Sequence, residues 1–361
     1  MSARGFVDWG LAERVALALG GNGGTPDAFD RDAVDAACAD AVELVLDYSR
    51  LRPAGELPQP ELVDRAAWTR IGLRTMRELA DQLERRVADG LSLPGPLGGL
   101  ARSLAGAAAG AEAGVAVGYG ARKVLGQYDV PLVPTDRQPR LVFVGPNLAA
   151  AHLQLGEDPE LFLRWIAIHE STHSIQFASV PWLRPHLGEL LDQLIAGASS
   201  RLDLGSIGQA ARRLLRADPR AAARKVLRGD LARALAGPEQ GRALDGLQAA
   251  MSVIEGHAEH VMDAAAGRVD PGYARLRERL EARRASRGGL GEVILRILGL
   301  ELKLRQYTLG KAFCDSVVGE AGIEGLNQVW RAPEALPTLA ELEQPEHWLR
   351  RVGALSAAEV T

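Results

Sequence analysis

The chain has 361 residues, 47% of them hydrophobic, and a formal net charge of −4. This composition is sufficient for a large core, and the length fits one domain or two equally well. The two cysteines, Cys38 and Cys314, exclude a disulfide framework and lack the spacing of a metal site. Charged side chains interrupt the apolar stretch between Met1 and Gly20, so we expect no secretory signal and a cytoplasmic protein.

The first third of the chain is predicted to be helical. Apolar residues recur at helical spacing over Val7 to Leu19, Ala33 to Tyr48 and Leu62 to Val87. After a loop from Gly90 to Gly99, a helix of small residues runs toward Gly126, with glycines at positions 106, 110, 114 and 118. Its weak hydropathy argues against a membrane span, so we expect a buried helix with another element packed closely on the glycine stripe.

A short strand and a long helix are predicted next. Three prolines interrupt the helical pattern, and Arg140 to Val144 then reads as a strand. This strand is either an edge strand that pairs with an extended peptide or an isolated β-segment. A helix capped by Asp158, with Pro159 in its first turn, ends before Pro181.

Helices continue from Leu187 to the C-terminal region. Arginine-rich stretches at Arg212 to Arg233 and Arg275 to Arg287 contain acidic residues and lack interleaved aromatic residues. Such mixed patterns are typical of solvated helix faces, so we expect neither nucleic acid nor membrane as a partner.

The most informative segment of the chain is His169-Glu170-Ser171-Thr172-His173. Two histidines four residues apart project from the same face of a helix, so both imidazoles can reach one Zn²⁺. The intervening Glu170 can then take a proton from zinc-bound water. Because the surrounding helix is apolar nearly all round, its histidines and glutamate need partners, and a metal supplies one.

A third metal ligand must come from elsewhere in the chain. Gln176 and Ser179 replace the Gly and His that the class with three histidines requires, which excludes that class. In the other class a glutamate on a downstream helix binds the metal. Glu255 and Glu259 are one turn apart, so that one can bind zinc while the other orients a ligand histidine. His257 and His260 are the alternative ligands, although they lie on other faces of a regular helix.

These motifs resemble two related groups of proteins. The Glu255-Gly256-His257-Ala258 segment is similar to the second helix of the gluzincins, which implies that Glu255 is the ligand and Glu259 its companion. The separation between His173 and Glu255 is long for that class. More closely, the chain resembles a family of zincin-like proteins of actinobacteria and chloroflexi, described as hydrolases, as metalloproteases or as coenzyme F420 biosynthesis-associated. The resemblance covers most of the chain and rests on residues 124–129, 144–147, 165–177, 255–259, 304–307, 313–314 and 326–330.

The sequence therefore predicts a mainly helical protein with a zincin-like metalloprotease core and a short β segment before the motif helix. We expect an N-terminal helical region over residues 1–128 and a catalytic region over 129–361, or one continuous domain. The predicted function is a zinc-dependent hydrolase, most simply a metallopeptidase, with a peptide or small amide as substrate. Tyr307 is the expected second donor to the oxyanion, with His257 and His260 as alternatives. The competing hypotheses are a zinc-binding scaffold without turnover and a helical interaction protein without metal.

Overall fold

The computed structural model describes residues 7–21, 29–87, 96–199, 238–267, 272–273, 275–279 and 305–358. Helices dominate these ranges, as the sequence predicts. They are α1 (Trp9–Gly20), α2 (Arg31–Ser49), α3 (Arg65–Val87), α4 (Pro96–Gly120), α5 (Gly145–Leu155), α6 (Pro159–Ser179), α7 (Leu183–Ser199), α8 (Pro238–Ala266), α9 (Arg305–Leu326), α10 (Leu339–Glu343) and α11 (Pro345–Ala358). Two single 3₁₀ turns, Asn327–Trp330 and Pro333–Ala335, join α9 to α10.

A small sheet of three strands, β1 (Pro60–Val63), β2 (Gly126–Asp129) and β3 (Arg140–Val144), lies beside the helices. Its order is β1-β3-β2, with β1 parallel and β2 antiparallel to β3. The strand predicted over Arg140 to Val144 is confirmed, but it is the middle strand and therefore neither an edge nor isolated. The two edges of the described sheet are β1 and β2. Strand β1 was missed because Leu62 fits the helical periodicity of the residues that follow it, whereas its pairing with Phe143 is a long-range contact.

The glycine stripe of α4 packs directly on α1. A Cβ atom added at Gly114 would lie 2.6 Å from the carbonyl oxygen of Ala12, and one at Gly118 would lie 2.8 Å from that of Ala16. Only glycine allows two helix backbones to approach so closely, which is the contact that the sequence predicts for this stripe. Within the described residues, no helix is long and apolar enough to cross a membrane.

Helix α6 runs through the main hydrophobic core. Asp158 caps it as predicted, because the Asp158 side chain accepts a hydrogen bond of 2.9 Å from the amide of Leu161. The core around α6 includes buried residues from α2, α8 and α9, so residues on both sides of the predicted 128/129 boundary pack together. The division into two regions stays a prediction.

Helices α8 and α9 cross through a pair of glycines. A Cβ atom at Gly256 would overlap the backbone of Gly310, and a Cβ atom at Gly310 would overlap the carbonyl group of Ser252. The crossing therefore requires that both positions lack a side chain. It fixes α8 in the core immediately beside Glu255.

Candidate metal centre

Three potential metal ligands meet where α6 faces α8. The Nε2 atoms of His169 and His173 lie 3.2 Å apart on successive turns of α6. The Oε2 atom of Glu255, on α8, lies 3.6 Å from each of these nitrogens. In the described part of the chain, these residues are the group of His, Cys, Asp and Glu side chains arranged to hold a metal ion.

The size of this group fits zinc. A point equidistant from the three ligand atoms, worked from their separations, lies about 2.0 Å from each, close to the Zn–N and Zn–O bond lengths of 2.0–2.2 Å. Two imidazoles and one carboxylate are a ligand set of catalytic zinc sites, in which water takes the fourth position. The residues therefore fit a zinc ion with one open position.

The electrostatics of the group also favour a cation. Burial disfavours a charged imidazole, but the Glu255 carboxylate outweighs that effect and raises the pKa of His173 to about 9. Burial opposes ionisation of Glu255 as well, yet the two imidazoles lower the pKa of its carboxyl group well below the ordinary value. The group therefore carries a carboxylate that attracts positive charge. A divalent cation can take the place of the proton on His173.

Glu170 lies on a different side of α6, against the edge strand β2. Its Oε2 atom accepts a hydrogen bond of 3.1 Å from the backbone amide of Tyr128. A Cβ atom at Gly126 would lie 2.6 Å from the Glu170 Cγ atom and 3.1 Å from its Cδ atom. Burial raises the pKa of Glu170, although the two neighbouring histidines oppose the rise. A raised pKa suits a carboxylate that must both accept and return a proton near neutral pH.

The other histidines of α8 have different neighbours. The Nδ1 atom of His257, a fully buried residue, lies 2.9 Å from the Nε2 atom of Gln176, and burial lowers the pKa of His257 to about 3. His260 hydrogen-bonds to Tyr48 through Nε2 and to Asp315 through Nδ1, both at 2.7 Å. Neither joins the donor group of His169, His173 and Glu255. The side chain of Tyr307 lies outside the described residues.

Comparison with known proteins identifies the family of the chain and a similar solved structure. A family model described as zincin-like metallopeptidase matches residues 7–349. The chain belongs to the zincin-like metallopeptidase family. A solved structure of a proposed hydrolase with a novel fold from Chloroflexus aurantiacus is similar, with a TM-score of 0.72 and 29% sequence identity over 96% of this chain and 99% of that one. No curated protein matches the chain.

The zincin-like fold uses two residues that the sequence analysis did not assign to the site. Gln176 contacts the Nδ1 atom of His173 at 3.0 Å, a position in which the sequence analysis expected Glu259. Its position three residues after His173, on the histidine face of a buried helix, was the available signal. Gly126 was noted only within a family-like motif. Its contact with Glu170 depends on the pairing of β2 in the sheet, for which the local sequence gives no signal.

Proposed function

We propose that this member of the zincin-like metallopeptidase family is a zinc-dependent hydrolase of peptide or amide bonds. The observation that carries the proposal is the triangle of ligand atoms from His169, His173 and Glu255, together with a buried glutamate on the next face of α6. A site that only stabilised a fold would normally be closed by a fourth protein ligand and would not need a base. The donor group here has three ligands and an adjacent base.

The residues divide the chemistry between them. His169, His173 and Glu255 would hold zinc, which supplies a Lewis acid that acidifies water and polarises the scissile carbonyl group. Glu170 accepts a proton from the attacking water and passes it to the leaving nitrogen. The amide of Tyr128 holds one oxygen of Glu170 and so fixes the direction in which the carboxylate faces. Tyr307 stays the proposed second donor to the oxyanion.

The edge strand supports a peptide as the substrate. The carbonyl group of Leu125 accepts a hydrogen bond from Val144 of β3, so alternation along β2 directs the backbone groups of Gly126 and Tyr128 away from the sheet. The contacts of both residues with Glu170 place this outer edge beside the proposed base. An extended peptide that pairs with a sheet edge gains main-chain hydrogen bonds, which is a general mode of peptide recognition. Because the Tyr128 amide donates to Glu170, such pairing would use the Gly126 amide and the two carbonyl groups.

Zinc stoichiometry and turnover test the proposal separately. We expect about one zinc per chain in the wild type and little in Glu255→Ala, measured by elemental mass spectrometry after purification without chelators. Glu239→Ala, at an exposed glutamate in the first turn of the same helix, is the control and should retain zinc. Glu170→Gln should retain zinc and lose cleavage of a diverse peptide library. A wild-type protein without zinc, or a Gln variant with full turnover, would contradict the proposal.

A further inference from the structure

Gln176 joins the two helices that carry the proposed zinc ligands. Its side chain is completely buried. The Oε1 atom lies 3.0 Å from Nδ1 of His173 on the same helix. The Nε2 atom lies 3.0 Å from the carbonyl oxygen of Ile254 and 2.9 Å from Nδ1 of His257, both on α8. The side-chain amide of Gln176 therefore contacts Ile254 and His257, which flank Glu255 on α8, and the proposed ligand His173 on α6.

The orientation of this amide follows from its neighbours. The backbone carbonyl of Ile254 can only accept a hydrogen bond, so the Gln176 atom that faces it must be the amide nitrogen. The oxygen of Gln176 then faces His173, whose Nδ1 atom must donate. Because neutral imidazole carries one proton, the Nε2 atom of His173 keeps its lone pair and directs it toward the donor group. That tautomer is the one that can bind a metal through Nε2.

The second proton of the Gln176 amide fixes the tautomer of His257. It points to Nδ1 of His257, which must accept, so the proton of His257 lies on its Nε2 atom. That Nε2 atom is buried without a hydrogen-bond acceptor among the described residues, and the ring packs edge-on against Trp330 with 5.3 Å between ring centroids. Both amide protons and the amide oxygen of Gln176 are thus used. A flipped amide would turn its oxygen toward the carbonyl oxygen of Ile254, and the two would repel.

We propose that Gln176 is a positioning residue that fixes the orientation and the Nδ1–H tautomer of His173 and connects it to the helix that carries Glu255. This inference rests on the proposed function, because it assumes that His173 binds zinc through Nε2. Groups that hold a ligand histidine in this way typically contribute 10–100-fold to metal affinity. The contact of Gln176 with α8 also joins the helices that carry His173 and Glu255 directly.

Two substitutions separate the parts of this role. Gln176→Leu removes all three contacts, and we expect zinc to bind about 10–100-fold more weakly, measured by competition with a chromophoric chelator. Gln176→Glu keeps an oxygen that accepts from His173 but loses both donors to α8. We expect this variant to recover most of the zinc affinity while its thermal unfolding temperature falls. Thr172→Val, which removes a buried hydroxyl group beside His173 that donates to the carbonyl of Ile168, is the matched control. It should change zinc affinity by less than about threefold, since it leaves the contacts of His173 intact.

The tautomers give a test that needs no substitution. In zinc-loaded wild-type protein with ¹⁵N-labelled histidine, long-range ¹H–¹⁵N spectra should show a protonated Nε2 and an unprotonated Nδ1 on His257, which accepts from the Gln176 amide. A protonated Nδ1 on His173 follows from zinc binding at Nε2, so the His257 tautomer is the discriminating signal. The His257 tautomer tests the orientation of the Gln176 amide even if Gln176→Leu does not fold.

Several results would overturn the role of Gln176 without touching the proposed function. They are a folded Gln176→Leu protein with wild-type zinc affinity, a Gln176→Glu protein as weak as the Leu variant, or a proton on Nδ1 of His257. A wild-type protein that binds no zinc would instead overturn the proposed function.

Discussion

The contact between Gly126 and Glu170 allows the position of the proposed base to be tested without a known substrate. The three heavy atoms nearest to a Cβ atom built on Gly126 all belong to Glu170, the closest being Cγ at 2.6 Å. Gly126 is not among the described glycines with positive φ, so an alanine there meets no backbone strain. The substitution Gly126→Ala is therefore a steric change that acts on Glu170.

The magnitude follows from the distance. Carbon atoms in contact are normally 3.5–4.0 Å apart, so Glu170 or the strand must shift by about 1 Å. Overpacking of this kind costs about 1–3 kcal/mol, while replacing glycine by alanine at a compatible position contributes about 0.4–1 kcal/mol of stability. We expect Gly126→Ala to lower the free energy of unfolding by about 1–2 kcal/mol. A displacement of about 1 Å in a catalytic group can lower the rate of the chemical step roughly 100-fold.

A double-mutant cycle isolates this contact. In Glu170→Ala protein the atoms that the new methyl group would meet are absent, so Gly126→Ala should be neutral or stabilise by up to about 1 kcal/mol. The assay is denaturant unfolding of the four proteins in excess chelator, so that metal binding does not contribute, with zinc stoichiometry measured separately. Gly126→Ala should keep its zinc, because the heavy atoms nearest to the new methyl group belong to Glu170 and not to a proposed ligand. An equal loss of stability in both backgrounds would refute the assignment of the contact to Glu170.

Three further predictions concern the packing and the charges around the site. Gly310→Ala should destabilise the protein by more than about 3 kcal/mol, because its methyl group would overlap the carbonyl group of Ser252. The control Gly319→Ala on the same helix faces open space and should be neutral or stabilising by up to about 1 kcal/mol. Equal unfolding temperatures for the two variants would contradict this prediction. Burial raises the pKa of Asp315, but its hydrogen bonds, first that from His260, lower the pKa below its ordinary value of 3.8. The wild type should therefore be more stable than Asp315→Asn above about pH 4, and this difference should disappear as the pH falls through the lower pKa of the folded state. A difference in stability between the wild type and Asp315→Asn that stays constant down to about pH 2.5 would contradict this prediction. Saturating zinc should raise the free energy of unfolding of the wild type by about 2.7 kcal/mol at 100 times its dissociation constant, and an unfolding temperature independent of zinc would be evidence against the site.

The parts of the site that the sequence predicted are those with local causes. His169, Glu170 and His173 are placed by the turn of a single helix, and the cap at Asp158 sets where that helix begins. The stripe of glycines on α4 predicted a close packing partner for the same reason, since its spacing of four residues is a property of one helix. A fold that is mainly helical is readable from such periodicities.

The parts that the sequence did not predict depend on contacts between distant segments. Gln176 meets Ile254 and His257, which lie 78 and 81 positions away, and Glu170 meets Tyr128 at a separation of 42. Sequence periodicity places a residue on a face of its own helix but does not say which element covers that face. For this reason Gln176 served only to exclude another class of zinc site. Its role became visible once α8 was packed beside α6.

Helix α8 shows how the choice among its three candidate ligands is made. At 3.6 residues per turn, His257 and His260 are rotated by about 200° and 500° from Glu255, so the three side chains cannot share one partner. In the fold, Glu255 faces the two histidines of α6, His257 faces Gln176, and His260 faces Tyr48 and Asp315. A rotation of α8 that brought His257 or His260 to the donor group would break the contacts of the other residues at once. The close crossing of α8 with α9 at Gly256 also opposes such a rotation, because a residue with a side chain at that point of α8 would collide with the backbone of Gly310. The position of Glu255 is therefore determined by contacts on several faces of α8, and its place as the proposed third ligand is a consequence of how the whole helix is held.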